Sequence, residues 1–102
     1  MSAPGSNGHD AAACDTLASG RAAIAQIDRA ILRLVAERLQ LGEAIARSKH
    51  AAGLPVLDPA QEARVVRRAA ELAREAALPE EGVRELFWRI ITLTRRAEDH
   101  AT

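Results

Sequence analysis

Aromatic side chains are nearly absent from this chain, at 2% of 102 residues. So few rings make no stacking platform for single-stranded nucleic acid. An excess of charge is missing too: Lys and Arg total 14, as do Asp and Glu, for a formal net charge of +0. Nucleic-acid and membrane-surface binders carry a basic excess, so neither partner is expected. The one cysteine, Cys14, has no intrachain partner for a disulfide, which suits a reducing compartment. No stretch approaches the ~20 apolar residues that span a bilayer. The start, Met1 to Asp10, has no Lys or Arg and no apolar run, unlike a secretory signal. The expected address is the cytoplasm. Strand signals are also lacking, since there is no alternating β-branched run, and there is no internal repeat.

What is present, 48% hydrophobic and 27% charged residues, belongs to one globular domain. Residues 1 to about 16, rich in Ser, Gly and Ala, are expected to form a disordered tail, because they bury too little apolar area to offset ordering entropy. Residues 17–102 are expected to form an all-α domain of three helices. The first runs from about Leu17 or Ser19 to about Ala51 and ends at Gly53 and Pro55. Gly42 is its interior weak point, at a cost of ~1 kcal/mol relative to Ala. The second begins at Asp58-Pro59-Ala60-Gln61: N-cap, first helical position and third position of a capping box. It runs to about Leu78, before Pro79. The third covers about Glu80 to Asp99.

The first helix carries the main structural argument. Roughly 33 residues at ~1.5 Å each span ~50 Å, whereas a domain of this size has a radius of gyration of ~13 Å. Its own chain cannot cover it. Ile24, Ile27, Ile31, Leu34, Leu41 and Ile45 recur at the spacing of a packed helix seam. An overlong amphipathic helix implies a partner, and the simplest is a second copy in an intertwined homodimeric bundle.

That seam has a hole at position 38, where Arg38 stands in an apolar slot. Lys49 lies eleven residues on, about three turns and ~16 Å along the same face, a gap that two long side chains and a small molecule fill. Arg21 lies ~25 Å from Arg38, too far to share one small ligand within a chain. Donated across a dimer, Arg21 would complete the site of the partner. Basic groups facing a core are costly unless paired. Either Glu37, Glu43 or a partner-helix acid pairs with Arg38, or an anionic ligand does; Lys49 equally suits an ordinary helix C-terminus. On the third helix Val83, Phe87, Ile90, Ile91 and Thr94 share one face, with Glu98 four residues past Thr94; a solvated helix end accounts for Glu98 as well. Asp58 and Glu62 stand one turn apart at the start of the second helix, where an N-cap and dipole complementarity explain both. Trp88 is read as a packing residue.

The run Ile27 to Arg38 (IDRAILRLVAER), continued to Lys49, resembles the first helix of all-α chorismate mutases. Pro55 to Glu62 (PVLDPAQE) is similar to that family's loop and second-helix start, and Leu86 to Ile91 (LFWRII) to its third helix. The resemblance covers roughly residues 20 to 99. It implies an entwined homodimer and assigns roles by position. Arg21 from the partner and Arg38 would hold the two carboxylates of chorismate. Lys49 would touch a carboxylate and the ether oxygen. Asp58, through its backbone, and Glu62 would hold the C4 hydroxyl. Thr94 would contact a carboxylate, and Glu98 would be a second donor to the ether oxygen. Catalysis would fall to Arg38, Lys49 and Glu98.

The chemistry explains these residue types. Rearrangement of chorismate to prephenate is an intramolecular [3,3] shift that needs no nucleophile, metal or cofactor. The site must hold the chair-like conformer and stabilise charge growing on the ether oxygen. A million-fold acceleration requires ~8 kcal/mol, the scale of two or three charge-assisted contacts. Two departures from the family pattern stand out. Glu98 occupies a position where many members have Gln, so it must be protonated to donate, and its pKa should be raised. Gln61 occupies a position where a basic residue is common, which weakens binding or marks another substrate. Beside chorismate mutase stand three alternatives: a 4-amino-4-deoxychorismate mutase, because Glu62 suits an ammonium at C4 as well as a hydroxyl; an isochorismate pyruvate-lyase; and a non-enzymatic helical dimerisation module.

Overall fold

The computed structural model describes residues 4–101, with side chains for residues 11–100. Among them there are three α-helices and no strand: α1 (Pro4–Ala51), α2 (Pro59–Glu75) and α3 (Glu80–Ala101). The chain divides into two compact units, Met1–Leu34 and Val35–Thr102. The first holds the N-terminal part of α1; the second holds the remainder of α1 with α2 and α3.

Helix α1 starts earlier than expected, at Pro4 rather than near Leu17 or Ser19. Residues 1–3 of the expected tail lie outside the described residues. Pro4 suits a first helical position, and the alanines at 11–13 are the strongest helix formers. Extending a nucleated helix is also far easier than starting one. At its other end, α1 closes as the sequence predicts. Gly53 has φ 71°, its N–H donates to the His50 carbonyl, and the Leu54 N–H donates to the Lys49 carbonyl. This pair of bonds is a Schellman cap, and it requires the left-handed conformation that glycine adopts without steric cost.

The start of α2 also follows its sequence signature. The Asp58 side chain accepts from the Gln61 N–H at 3.1 Å, and Pro59 takes the first turn. The capping box is only half made, because the Gln61 side-chain oxygen accepts from Arg64 Nε at 2.9 Å. The end of α2 differs from expectation. It stops at Glu75, before Pro79 exerts its effect, through a second Schellman cap: Leu78 N–H to Ala73 carbonyl and Ala77 N–H to Arg74 carbonyl. Here the left-handed residue is Ala77, with φ 56°. Arg74 and Glu80, paired at 2.7 Å, bridge this turn to the first residue of α3.

The core lies within the second unit and is built of small side chains. Buried there are Ala46 of α1, Val66, Ala69, Ala70 and Ala73 of α2, and Ile91 of α3. Alanines let the helix axes approach closely but each buries little apolar area. The larger hydrophobics lie outside. In the first unit Ile24, Ile27, Ile31 and Leu34 are 51–59% exposed, and in the second Leu41 and Ile45 are 65% and 55% exposed. Trp88, expected to pack, is 44% exposed. The face of α3 is arranged as its periodicity predicts, with Ile91 buried and Val83, Phe87, Ile90, Thr94 and Glu98 half-buried.

Ala77 sits where a Cβ is unfavourable. Ala77→Gly is expected to stabilise the protein by up to about 1 kcal/mol and to raise Tm by a few degrees. A thermal melt followed by circular dichroism checks it; an unchanged or lower Tm refutes the strain.

Candidate active site

A cavity of about 290 Å³ opens in the second unit, bounded by α1, the α1–α2 loop, α2 and α3. Small-molecule pockets run from ~300 Å³ upward, so this one fits a compact ligand. Its lining includes Arg38 and Lys49 from α1, Asp58 and Glu62 at the start of α2, and Thr94 and Glu98 from α3. Six of the seven residues singled out in the sequence therefore face one space. The seventh, Arg21, belongs to the first unit, where it is exposed beside Leu17 and Ile24.

Each polar group is held by its element. Arg38 Nη1 donates to the Thr94 hydroxyl at 2.8 Å, and that hydroxyl donates onward to the Ile90 carbonyl at 2.9 Å. Among the described residues neither Glu37 nor Glu43 pairs with Arg38; Glu43 pairs instead with Arg47, at 3.9 Å. A hydroxyl orients a guanidinium without neutralising it, so Arg38 keeps its charge at the cavity wall. Lys49 Nζ donates to the Val56 carbonyl at 3.4 Å and lies 3.9 Å from an Asp58 carboxylate oxygen. The apolar floor comes from Leu41, Ile45, Val65 and Ile91.

Two further residues of the wall escaped the sequence argument. Arg95 grips Glu62 through both nitrogens of its fork: Nε donates to Oε2 at 2.8 Å, and Nη2 donates to Oε1. It is one of two adjacent arginines on a polar stretch, so only the packing of α3 on α2 reveals which of them meets Glu62. Gly42 is the other. Read in the sequence as a weak point, it is buried, and a Cβ there would lie 2.6 Å from Thr94 Cγ2 and 3.7 Å from Glu98 Oε1. The glycine lets α1 and α3 meet closely enough for Arg38 to reach Thr94.

Glu98 is half-buried rather than solvated at a frayed end. Burial raises its pKa above the usual carboxylate value; Glu62 and Asp99 add to the rise, while Lys49 and Arg95 oppose it. The protonated form gains population, and a protonated carboxyl is a hydrogen-bond donor. The cavity thus offers fixed cations, a donor whose state depends on pH, and an apolar floor. Such a set has the chemistry to bind a small anion and to stabilise charge developing on it.

The chorismate mutase type II family model matches residues 20–99 of the chain. Among curated proteins, the chain is 38% identical over 61 residues to the chorismate mutase of Methanocaldococcus jannaschii, a match that covers 60% of this chain and 62% of that protein. It is 37% identical over 79 residues to the 4-amino-4-deoxychorismate mutase of Streptomyces venezuelae, covering 78% of this chain and 77% of that one. No solved structure matches.

The contact at Gly42 makes a prediction opposite to helix propensity. Alanine there should gain ~1 kcal/mol of propensity but lose about 1–3 kcal/mol to overpacking. The Thr94 methyl cannot turn away without giving up the bonds of its hydroxyl to Arg38 and Ile90. Gly42→Ala is therefore expected to lower Tm; a stabilised variant in the same melt would show that the two helices separate freely.

Proposed function

The chain belongs to the chorismate mutase type II family, and we propose that it catalyses the [3,3] rearrangement of chorismate to prephenate in the cavity of its second unit. The observation that carries the reading is the convergence of Arg38, Lys49 and Glu98 on one small, apolar-floored space. Arg38, steadied by Thr94, binds one carboxylate of the substrate. Lys49 reaches a carboxylate and the ether oxygen, and protonated Glu98 donates to that oxygen as the C–O bond breaks. Asp58, through its backbone, and Glu62 hold the C4 substituent. The 4-amino-4-deoxy compound is the second reading, favoured by the Streptomyces relative, a 4-amino-4-deoxychorismate mutase.

The working unit in this reading is a homodimer with residues 17–102 as the catalytic domain. The exposed Ile24, Ile27, Ile31, Leu34, Leu41 and Ile45 support it, because large side chains left 51–65% exposed form a surface that water penalises and a second copy covers. Arg21 of each chain would supply the remaining cation to the site of its partner, giving two equivalent sites. The proposed location is the cytoplasm; no described helix is long and apolar enough to cross a membrane.

The catalytic test is conversion of chorismate to prephenate by purified protein across about pH 5 to 8. The raised Glu98 pKa fixes the sign: the donor is present below that pKa and is lost as pH rises through it, so activity should fall toward high pH. Glu98→Gln carries a permanent amide donor and should hold its activity where the unaltered protein has declined. Absence of turnover in a folded dimer counts against the mutase reading, and parallel pH profiles count against the role of Glu98.

Shared sites make a separate prediction. Arg38→Ala and Arg21→Ala should each cost about 10²–10³-fold in kcat while the helical circular dichroism signal is kept. Mixed in equal amounts and allowed to exchange, the two variants should recover about a quarter of the sites, since half of the dimers are mixed and each mixed dimer holds one intact site. No recovery after proven exchange would mean that Arg21 serves its own chain or no site.

A further inference from the structure

Arg95 and Glu62 close one wall of the cavity together, across the α2–α3 interface. Both carboxylate oxygens of Glu62 receive a guanidinium N–H, the two-bond geometry for which a planar guanidinium is preorganised. The Glu62 side chain is 16% exposed and that of Arg95 46%, so the carboxylate sits inward and the cation outward. The fork fixes where the carboxylate points, and it balances the carboxylate charge with a cation that stays protonated at any working pH.

The other carboxyls of the wall are treated alike. Asp58 lies 3.9 Å from Lys49 and also caps α2. Glu98 is pushed toward its neutral form by burial. Among the described residues, then, the wall offers hydrogen-bond acceptors whose charge is compensated. A neutral hydroxyl donates to the remaining lone pairs of Glu62 at no electrostatic cost. An ammonium would enter as a further cation against Arg95, Lys49 and Arg38, with no net negative charge to meet it.

Building on the mutase reading above, we infer that Arg95 is a specificity-determining residue: by compensating the charge of Glu62 it sets the cavity to accept a hydroxyl rather than an ammonium at C4 of the substrate. Loss of the arginine would bare the Glu62 charge and turn the same position into an ammonium site.

The test measures kcat/KM for chorismate and for 4-amino-4-deoxychorismate with the intact protein, Arg95→Gln, Arg95→Lys and Glu62→Gln. The intact protein should prefer chorismate. Arg95→Gln should shift the ratio toward the amino substrate by about tenfold or more. Arg95→Lys, which keeps the charge and loses the fork, should keep the hydroxyl preference with lower kcat/KM for both. Glu62→Gln should move the ratio further from the amino substrate, and Arg95→Met, with the same expected shift as Arg95→Gln, decides the matter if Arg95→Gln fails to fold. A merely structural Arg95 would lower both rates and leave the ratio alone; that result, or an intact protein that prefers the amino substrate, overturns the inference. An intact, folded protein that turns over neither substrate overturns the mutase reading itself, and the inference with it.

Discussion

Helices α1 and α3 meet at Gly42 and Thr94 with no space for one more carbon, and the arrangement of the cavity depends on that contact. Because the backbone of α1 comes so close, the guanidinium of Arg38 reaches the Thr94 hydroxyl. Because that hydroxyl is anchored to its own helix at the Ile90 carbonyl, it is a fixed point rather than a free rotor. The charge of Arg38 is thereby positioned without being cancelled. An acidic partner would have held the arginine equally well and removed its value to an anionic ligand. Orientation by a neutral group is the solution that keeps a cation available, and it explains why a helix-weakening residue occupies the interior of a long helix.

A second constraint is the shortage of buried apolar mass. The buried hydrophobic side chains among the described residues are four alanines with Val66 and Ile91, a set that yields little transfer free energy against the entropy of ordering the chain. The bulkier aliphatics of α1 lie on the surface instead. In the proposed homodimer these side chains would complete the core, so folding, association and completion of the site become aspects of one event. Apparent stability would then depend on protein concentration by mass action.

Much of this was legible in the sequence because the governing signals are local. The Asp-Pro-Ala-Gln start of α2, the glycine that closes α1 and the inward face of α3 each follow from a few neighbouring residues. The hole in the seam at Arg38 was visible because an apolar repeat makes a polar exception conspicuous. What the sequence concealed depends on contact between distant segments. Arg95 meets a residue 33 positions away and looks from its neighbours like an ordinary surface arginine. Gly42 reads as a defect until the helix packed against it is known. The cap at Ala77 lacks the glycine or asparagine that advertises such a turn, and the early start of α1 reflects propagation of a helix whose nucleus lies elsewhere.

The alanines of α2 have a consequence beyond stability. Ala69, Ala70 and Ala73 are buried and none of them lines the cavity, yet such small residues govern how far α2 stands from its neighbours. The width of the cavity is therefore written partly in residues that never meet a ligand. A chain of this design has two independent routes to a new substrate. One exchanges the groups in the wall, and the other exchanges a methyl in the core for something larger and moves the wall itself.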